Sequence, residues 1–203
     1  MEAAYLKRLQ ATGNEEYFGA AEQEASSQFS KYIDPFIKDL TDKVILDICC
    51  GHGRMTAQIL NRFPTVHAFL VDINIDNVNF CKERFANSNV FCTKNNGTDL
   101  SELKDHSIDF AFSWDAMVHF NGDLIQLYIK EIIRVLKEGG RALIHFSNFG
   151  GDDCGSEVTG PGIRGAMTNN QMLLFLRKYK IIYNEVIDWG GVNNLDAIIV
   201  FEK

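Results

Sequence analysis

Apolar residues fall in short runs along most of this chain, and amphipathic stretches separate them. Val44-Ile45-Leu46-Asp47-Ile48 is a run of the kind that forms a fully buried strand. Gly51 and Gly53 follow it, then a helical pattern that continues to Phe63 and stops at Pro64. Ala68-Phe69-Leu70-Val71-Asp72 predicts a second strand, and Asn74 is placed to cap a helix reaching about Phe85. Val90-Phe91-Cys92 and residues 108–113 predict a third and a fourth strand. Behind Asp123, Leu124, Leu127, Tyr128, Ile132, Val135 and Leu136 repeat at helical spacing, and Gly139-Gly140 is expected to end that helix. Ala142-Leu143-Ile144-His145-Phe146 predicts a fifth strand. Residues 147–165 are Gly-rich, acidic and aperiodic, a length of loop often used as a lid or binding loop. Thr168-Asn169-Asn170-Gln171 has capping-box spacing ahead of an apolar helix. Two last strands, residues 181–186 and 197–201, have no helix between them, only a stretch with Gly190-Gly191 and Asn193-Asn194.

This alternation predicts an α/β, doubly wound, mostly parallel sheet with helices on both faces and an antiparallel edge formed by the C-terminal strands. Residues 1–40 read as a helical extension broken near Asp34-Pro35, and 41–203 as one domain. A chain of 203 residues, 46% hydrophobic and 23% charged, has the composition of a globular domain rather than a disordered one. No apolar run approaches the roughly 18 residues of a membrane span. The first eight residues lack a secretory pattern, so a cytoplasmic location is expected. The net charge of −7 argues against non-specific nucleic-acid binding, which rewards clustered cations. Arg177-Lys178-Tyr179-Lys180 falls where a helix ends, and cations there complement the helix dipole. The five cysteines include no paired Cys-x-x-Cys clips, so reduced thiols and no metal site are expected. The acidic pair Asp152-Asp153 reads as a solvated loop, and Asn96-Gly97-Thr98 matches a glycosylation acceptor that the lack of a secretory signal discounts. Oligomeric state is not legible.

In a doubly wound sheet the ligand sits beyond the carboxyl ends of the strands, where the strand order reverses. After strand one stand Asp47, Cys49, Gly51, Gly53 and Arg54, a turn that brings backbone N–H groups and a helix N-terminus to a ligand. Asp72 closes strand two, 19 residues beyond Gly53, with Ile73 next to it, and a carboxylate there can accept both hydrogen bonds of a ribose diol. Together these point to an adenosine-containing cofactor. A dinucleotide is one option, with Thr56 where its fingerprint wants Gly or Ala, and it implies an NAD-dependent oxidoreductase. Against it, Asp47 would repel a pyrophosphate and attract an amine, and no Tyr-x-x-x-Lys pair is present for hydride chemistry.

Four segments, in this order and spacing, resemble the class I S-adenosylmethionine-dependent methyltransferases from about residue 40 onward. They are Val44 to Gly53, Val71-Asp72, Ser107 to Ser113 and Ile133 to Gly140. The resemblance implies a seven-stranded Rossmann-like sheet, S-adenosyl-L-methionine as cofactor, and an N-terminal cap over its site. It also implies cofactor contacts from Asn96, Gly97 and Thr98 after strand three, and from Ser113, Trp114 and Asp115 at the end of strand four. Cys49 stands where the family usually has Gly, Glu138 replaces a usual Pro, and Asn95-Asn96-Gly97 replaces a common acidic residue. A non-catalytic relative that keeps the fold as a binding module is the reading Cys49 favours. A hydroxyl acceptor needs a base. Asp115 and His119, four apart, are expected on one face of a helix after strand four, with His145 on the same rim. The segments Ile144 to Asn148, Asp188-Trp189-Gly190 and Asp196-Ala197-Ile198 resemble methyltransferases of carbohydrate assembly and imply a small, sugar-like acceptor methylated on oxygen. Trp114, Phe120, Phe146 and Phe149 are the candidate aromatic lining.

Overall fold

In the computed structural model, which describes residues 14–150 and 164–203, the apolar runs become seven strands. They are β1 (Val44–Ile48), β2 (His67–Asp72), β3 (Val90–Lys94), β4 (Ile108–Ser113), β5 (Leu136–Ser147), β6 (Lys180–Trp189) and β7 (Val192–Glu202). The helices are α1 (Asn14–Gln28), α2 (Arg54–Arg62), α3 (Ile75–Arg84), α4 (Gly122–Val135) and α5 (Asn169–Phe175). A π-helical turn, Phe29–Ile33, and a 3-10 turn, Asp34–Phe36, end the first helix where Pro35 forbids its continuation. Asp152, Asp153 and Cys154 lie outside the described residues.

The strand order is β3-β2-β1-β4-β5-β7-β6, and β7 runs antiparallel to both its neighbours. The chain moves outward from β1 to β3, then returns to lay β4 on the other side of β1. That reversal opens a crevice at the carboxyl ends of β1 and β4. Side chains alternate across the sheet, as the pleat requires. Leu46, Ala111, Ile144 and Ile199 pack toward α4 and α5, with Ile125, Tyr128, Ile132 and Met172. Ile45, Phe112, Leu143 and Ile198 pack toward α1, α2 and α3, with Ala25, Met55, Ile59 and Cys81.

The caps follow the sequence closely. Asn74 accepts from Asp76 N–H, and Thr168 with Gln171 forms the capping box. Three expectations need correction. First, α4 ends at Val135 rather than at Gly139-Gly140, because Leu136 is already extended and pairs with Ile108. Gly139 N–H donates to Lys203 O and Lys203 N–H to Gly140 O, both at 3.0 Å, so the two glycines are held as sheet by the chain's last residue. Second, the hairpin turn is Gly190-Gly191 alone, and Asn193 and Asn194 belong to β7. Third, β4 is followed by a bend and a 3-10 turn, Met117–His119, with α4 starting only at Gly122. Asp115 and His119 therefore do not share a helix face.

Gly165 shows how tightly the segment before α5 is docked. Its N–H donates to Val118 O at 2.9 Å, and a Cβ there would lie 2.0 Å from Phe120 O. Backbone cannot yield that much. Gly165→Ala is expected to destabilise the fold by about 2–4 kcal/mol through overpacking, measured as a fall in the urea midpoint; an unchanged midpoint would show that the segment is not seated against Val118–Phe120.

Candidate active site

The turn after β1 is held from behind by β2. Cys50 N–H donates to Val71 O at 3.1 Å, and Gly51 N–H donates to Asp72 Oδ2 at 2.9 Å. Asp72 Oδ1 accepts from Asn74 N–H at 2.8 Å and from Asn77 Nδ2 at 3.2 Å. Burial still pushes the Asp72 carboxyl above the usual range, against the bonds from Asn74, Gly51, Asn77 and Ile73 N–H. Gly51 and Gly53 are left-handed, and so is Cys49, at φ 59°. For a residue with a Cβ that conformation costs on the order of 1 kcal/mol, so this position does carry the requirement that Gly ordinarily meets. The Cys49 thiol, far above its ordinary pKa through burial, lies in hydrogen-bond contact with the Tyr128 hydroxyl. Tyr128 also accepts from Asn95 Nδ2 at 3.0 Å.

Asp47 is buried on the face that α2 covers, and its Oδ2 accepts from Thr56 Oγ1 at 2.7 Å. Across the crevice, Asn96 Oδ1 accepts from Thr98 N–H at 2.9 Å, closing a turn with Gly97 buried inside it. Val71, Thr93, Asn95, Asn96 and Leu100 line a pocket of about 230 Å³ there. Helix α1 lies over the glycine turn. The His52 ring is sandwiched between Phe18 and Phe80, with centroids 3.6 and 3.9 Å away. A Cβ on Gly51 would stand 3.1 Å from the Phe18 ring. Glu22 pairs with Arg84 at 2.6 Å, and Arg54 donates to Ala21 O at 2.9 Å.

At the end of β4, Ser113 is buried and its Oγ has no hydrogen-bond partner among the described residues. Trp114, also buried, donates through Nε1 to Gln28 Oε1 at 2.9 Å, and Gln28 Nε2 donates to Glu24 Oε2 at 2.8 Å. Asp115 is left-handed at φ 54°, and its carboxylate meets Arg54 Nη2 at 2.9 Å. Asp115 and Arg54 face a second pocket of about 380 Å³, lined also by Ala21, Glu24, Asp188 and Trp189. Its three carboxylates outnumber the one guanidinium. His119 ends the 3-10 turn, half-buried, with its N–H on Ala116 O at 3.1 Å. His145 is fully buried, between the Trp114 and Trp189 rings. Of the proposed aromatic lining, Phe146 is core, Phe120 stacks on Tyr128 and Phe149 is exposed. Sequence reasoning passed over Arg164, which pairs with Asp196, and Phe18. A charged residue inside the apolar run Leu195 to Phe201 was the available signal for a buried partner.

Burial pushes the Asp47 carboxyl up to about 7, with the Thr56 bond pulling the other way and the Asp72 charge adding to the rise. The folded chain then keeps a proton that the unfolded chain has released, so this group's contribution is full below the ordinary carboxyl range and is lost as pH rises to about 7. Asp47→Asn is expected to flatten that decline and raise stability at pH 8 by roughly 1–3 kcal/mol, read from urea unfolding at pH 5 and pH 8. An identical pH slope in the variant would remove Asp47 as its source.

Residues 45–140 match the family described as methyltransferase domain. The fatty-acid O-methyltransferase of Mycolicibacterium smegmatis is 24% identical over 102 residues, 50% of this chain and 36% of that protein. The chain thus aligns with about a third of the length of that relative. A SAM-dependent methyltransferase from Methanosarcina mazei superposes with a TM-score of 0.65 at 19% identity, covering 84% of this chain and 96% of that one. The phosphoethanolamine N-methyltransferase 2 of Haemonchus contortus, in complex with S-adenosyl-L-methionine, gives 0.69 at 17% identity, over 87% and 52%. Geranyl diphosphate C-methyltransferase from Streptomyces coelicolor gives 0.67 at 13%, over 87% and 80%. At these identities the structural likeness speaks for the fold, while the sequence match speaks for the domain. Residues 45–140 thus match the methyltransferase domain, within a fold that superposes on S-adenosylmethionine-dependent methyltransferases.

Proposed function

We propose that this protein transfers a methyl group from S-adenosyl-L-methionine to an oxygen of a small, hydroxyl-rich acceptor. The observation that carries the donor site is Asp72 at the end of β2, its carboxylate already oriented by Gly51 N–H and Asn74 N–H beside the crevice. The unpartnered Ser113 Oγ on the opposite wall is what a site built to meet a polar ligand leaves behind. Asp72 holds the ribose, the turn Cys49 to Arg54 and Asp47 lie under the amino-acid portion, and Ile73 with Asn96, Gly97 and Thr98 flanks the adenine. Ser113 and Trp114 form the far wall. Of the extension 1–40, the described part, 14–40, with α1 over Gly51, acts as a cap on the domain within 41–203, and residues 1–13 lie outside the described residues. When bound, the cofactor supplies an electrophilic methyl on a sulfonium.

The acceptor seat is the pocket between α1 and the β6–β7 turn. Its carboxylates Glu24, Asp115 and Asp188 suit a ligand that offers hydrogen-bond donors, and Trp189 adds an apolar wall beside them. Asp115, with His119 as the second candidate, takes the acceptor proton as the new bond forms. Alignment of acceptor and donor between these walls supplies most of the rate.

One observation favours a second, non-catalytic reading: the Phe18 ring lies against Gly51, where a donor's amino-acid portion would pass. Titration separates the readings. S-adenosylhomocysteine is expected to bind the full chain and NAD(H) is not; Asp72→Ala should weaken that binding by about 1–3 kcal/mol through loss of charged hydrogen bonds. A silent homocysteine titration would favour the binding module, and tight NAD binding would favour an oxidoreductase. Cys49→Gly should keep or tighten the affinity and raise stability by up to about 1 kcal/mol as the left-handed strain is relieved; a large loss of binding would assign the thiol a role in the site.

A further inference from the structure

The polar groups buried at the carboxyl end of the sheet form one connected line. Arg164 Nε and Nη2 donate to Asp196 Oδ1 and Oδ2, both at 2.8 Å. Asp196 Oδ2 lies 3.3 Å from His145 Nε2, at ion-pair distance but outside hydrogen-bond geometry, and Nε2 has no other hydrogen-bond partner among the described residues. His145 Nδ1 accepts from the Asp115 N–H at 3.3 Å. His145 and Asp196 are fully buried and Arg164 is 7% exposed, so the inner part of the line is shielded from bulk water. The Trp114 and Trp189 rings hold the imidazole from two sides, each with its centroid 4.6 Å away.

One tautomer suits this line, through the Asp115 bond at Nδ1 and the Asp196 charge beside Nε2. Nδ1 must be bare to accept from Asp115, and Nε2 must carry the proton that faces the carboxylate. The reverse tautomer would set two N–H groups against each other at Asp115 and a bare nitrogen against Asp196. In a dry site each mismatch costs the full desolvation of a polar group. Arg164 already balances the Asp196 charge through two parallel bonds, so His145 needs to bring only a hydrogen-bond donor. At the other end, Asp115 sits in a left-handed conformation, which Asp adopts more readily than most residues with a Cβ.

We infer that Arg164 and Asp196 are positioning residues of the methyl-transfer site: they fix His145 in its Nε2–H tautomer, and His145 pins the Asp115 main chain so that its carboxylate faces Arg54 and the pocket. This rests on the function proposed above, because it takes Ser113 to Asp115 as the wall shared by cofactor and acceptor. It also moves His145 from the catalytic group to a supporting one.

Two substitutions of His145 separate positioning from mere filling. Asn carries its carbonyl oxygen near the Nδ1 position and keeps an acceptor for Asp115 N–H. Gln fills more of the space and reaches toward Asp196, but has no acceptor at that position. With S-adenosylhomocysteine as probe in calorimetry, His145→Asn is expected to bind within about threefold of wild type, and His145→Gln about tenfold or more weaker. Equal losses, or the reverse order, would overturn the proposal, since filling favours Gln. Asp196→Asn can point an amide N–H at Nε2 and drive the proton to Nδ1, and its affinity should fall as far as that of the Gln variant. Nitrogen NMR of the wild-type imidazole decides the matter even if the variants do not fold: a protonated Nε2 and bare Nδ1 support the proposal, and the opposite tautomer ends it. Failure of wild type to bind the probe would instead count against the proposed function and leave the tautomer to judge the positioning role.

Discussion

The hydrogen bond from Gly51 N–H to Asp72 joins the two strand ends that form the crevice. Without it the turn after β1 would have little reason to stay in the left-handed conformations of Cys49, Gly51 and Gly53. Cys49 alone costs on the order of 1 kcal/mol there. A charge-assisted bond to a buried carboxylate contributes about 1.5–3 kcal/mol, enough to offset that strain. The bond from Cys50 N–H to Val71 O adds a second tie between the same strands. The same carboxylate that shapes the turn stands beside the ligand's path, so the shape of the turn and the binding chemistry depend on one side chain.

The sheet concentrates polar groups at one end and keeps them out of the other. Asp47, Asp72, Ser113, His145, Ser147 and Asp196 are all buried and all lie at or near that rim. Each would be costly in an apolar core unless bonded. Most have partners inside the chain: Thr56 for Asp47, Gly51 and Asn74 for Asp72, Arg164 for Asp196. Ser113 Oγ and His145 Nε2 are the exceptions in this group, neither having a hydrogen-bond partner among the described residues. The pattern is that of a rigid apolar frame with its polar load at the site.

Helix α1 bears on the glycine turn through rings rather than charges. The Phe18–His52–Phe80 stack lies over the turn, and burial together with the Arg84 cation lowers the His52 pKa, keeping the ring in the neutral form that stacks well. The Glu22–Arg84 pair is partly exposed and contributes little on its own. Arg54 does more, since it ties Ala21 O on the helix to Asp115 in the bend after β4 and so links the cap side of the pocket to its floor.

Strand positions, helix caps and the carboxylate after β2 were legible in the sequence, because burial of apolar runs, the Asn74 and Thr168 caps and the Val71-Asp72 step are local signals. The left-handed strain at Cys49 was legible as well, from a side chain standing in a glycine position. The geometry after β4 was not. A helix was expected from the spacing of Asp115 and His119, yet the chain turns through a 3-10 segment, because His145 and Arg54 capture Asp115 from strands and helices remote in sequence. Gly139-Gly140 resembled a helix stop and became sheet, because the C-terminal Lys203 pairs across them. Sequence by itself determined what each segment prefers; which buried polar groups find one another was decided only by tertiary structure, since partners more than 30 positions apart leave no periodicity to read.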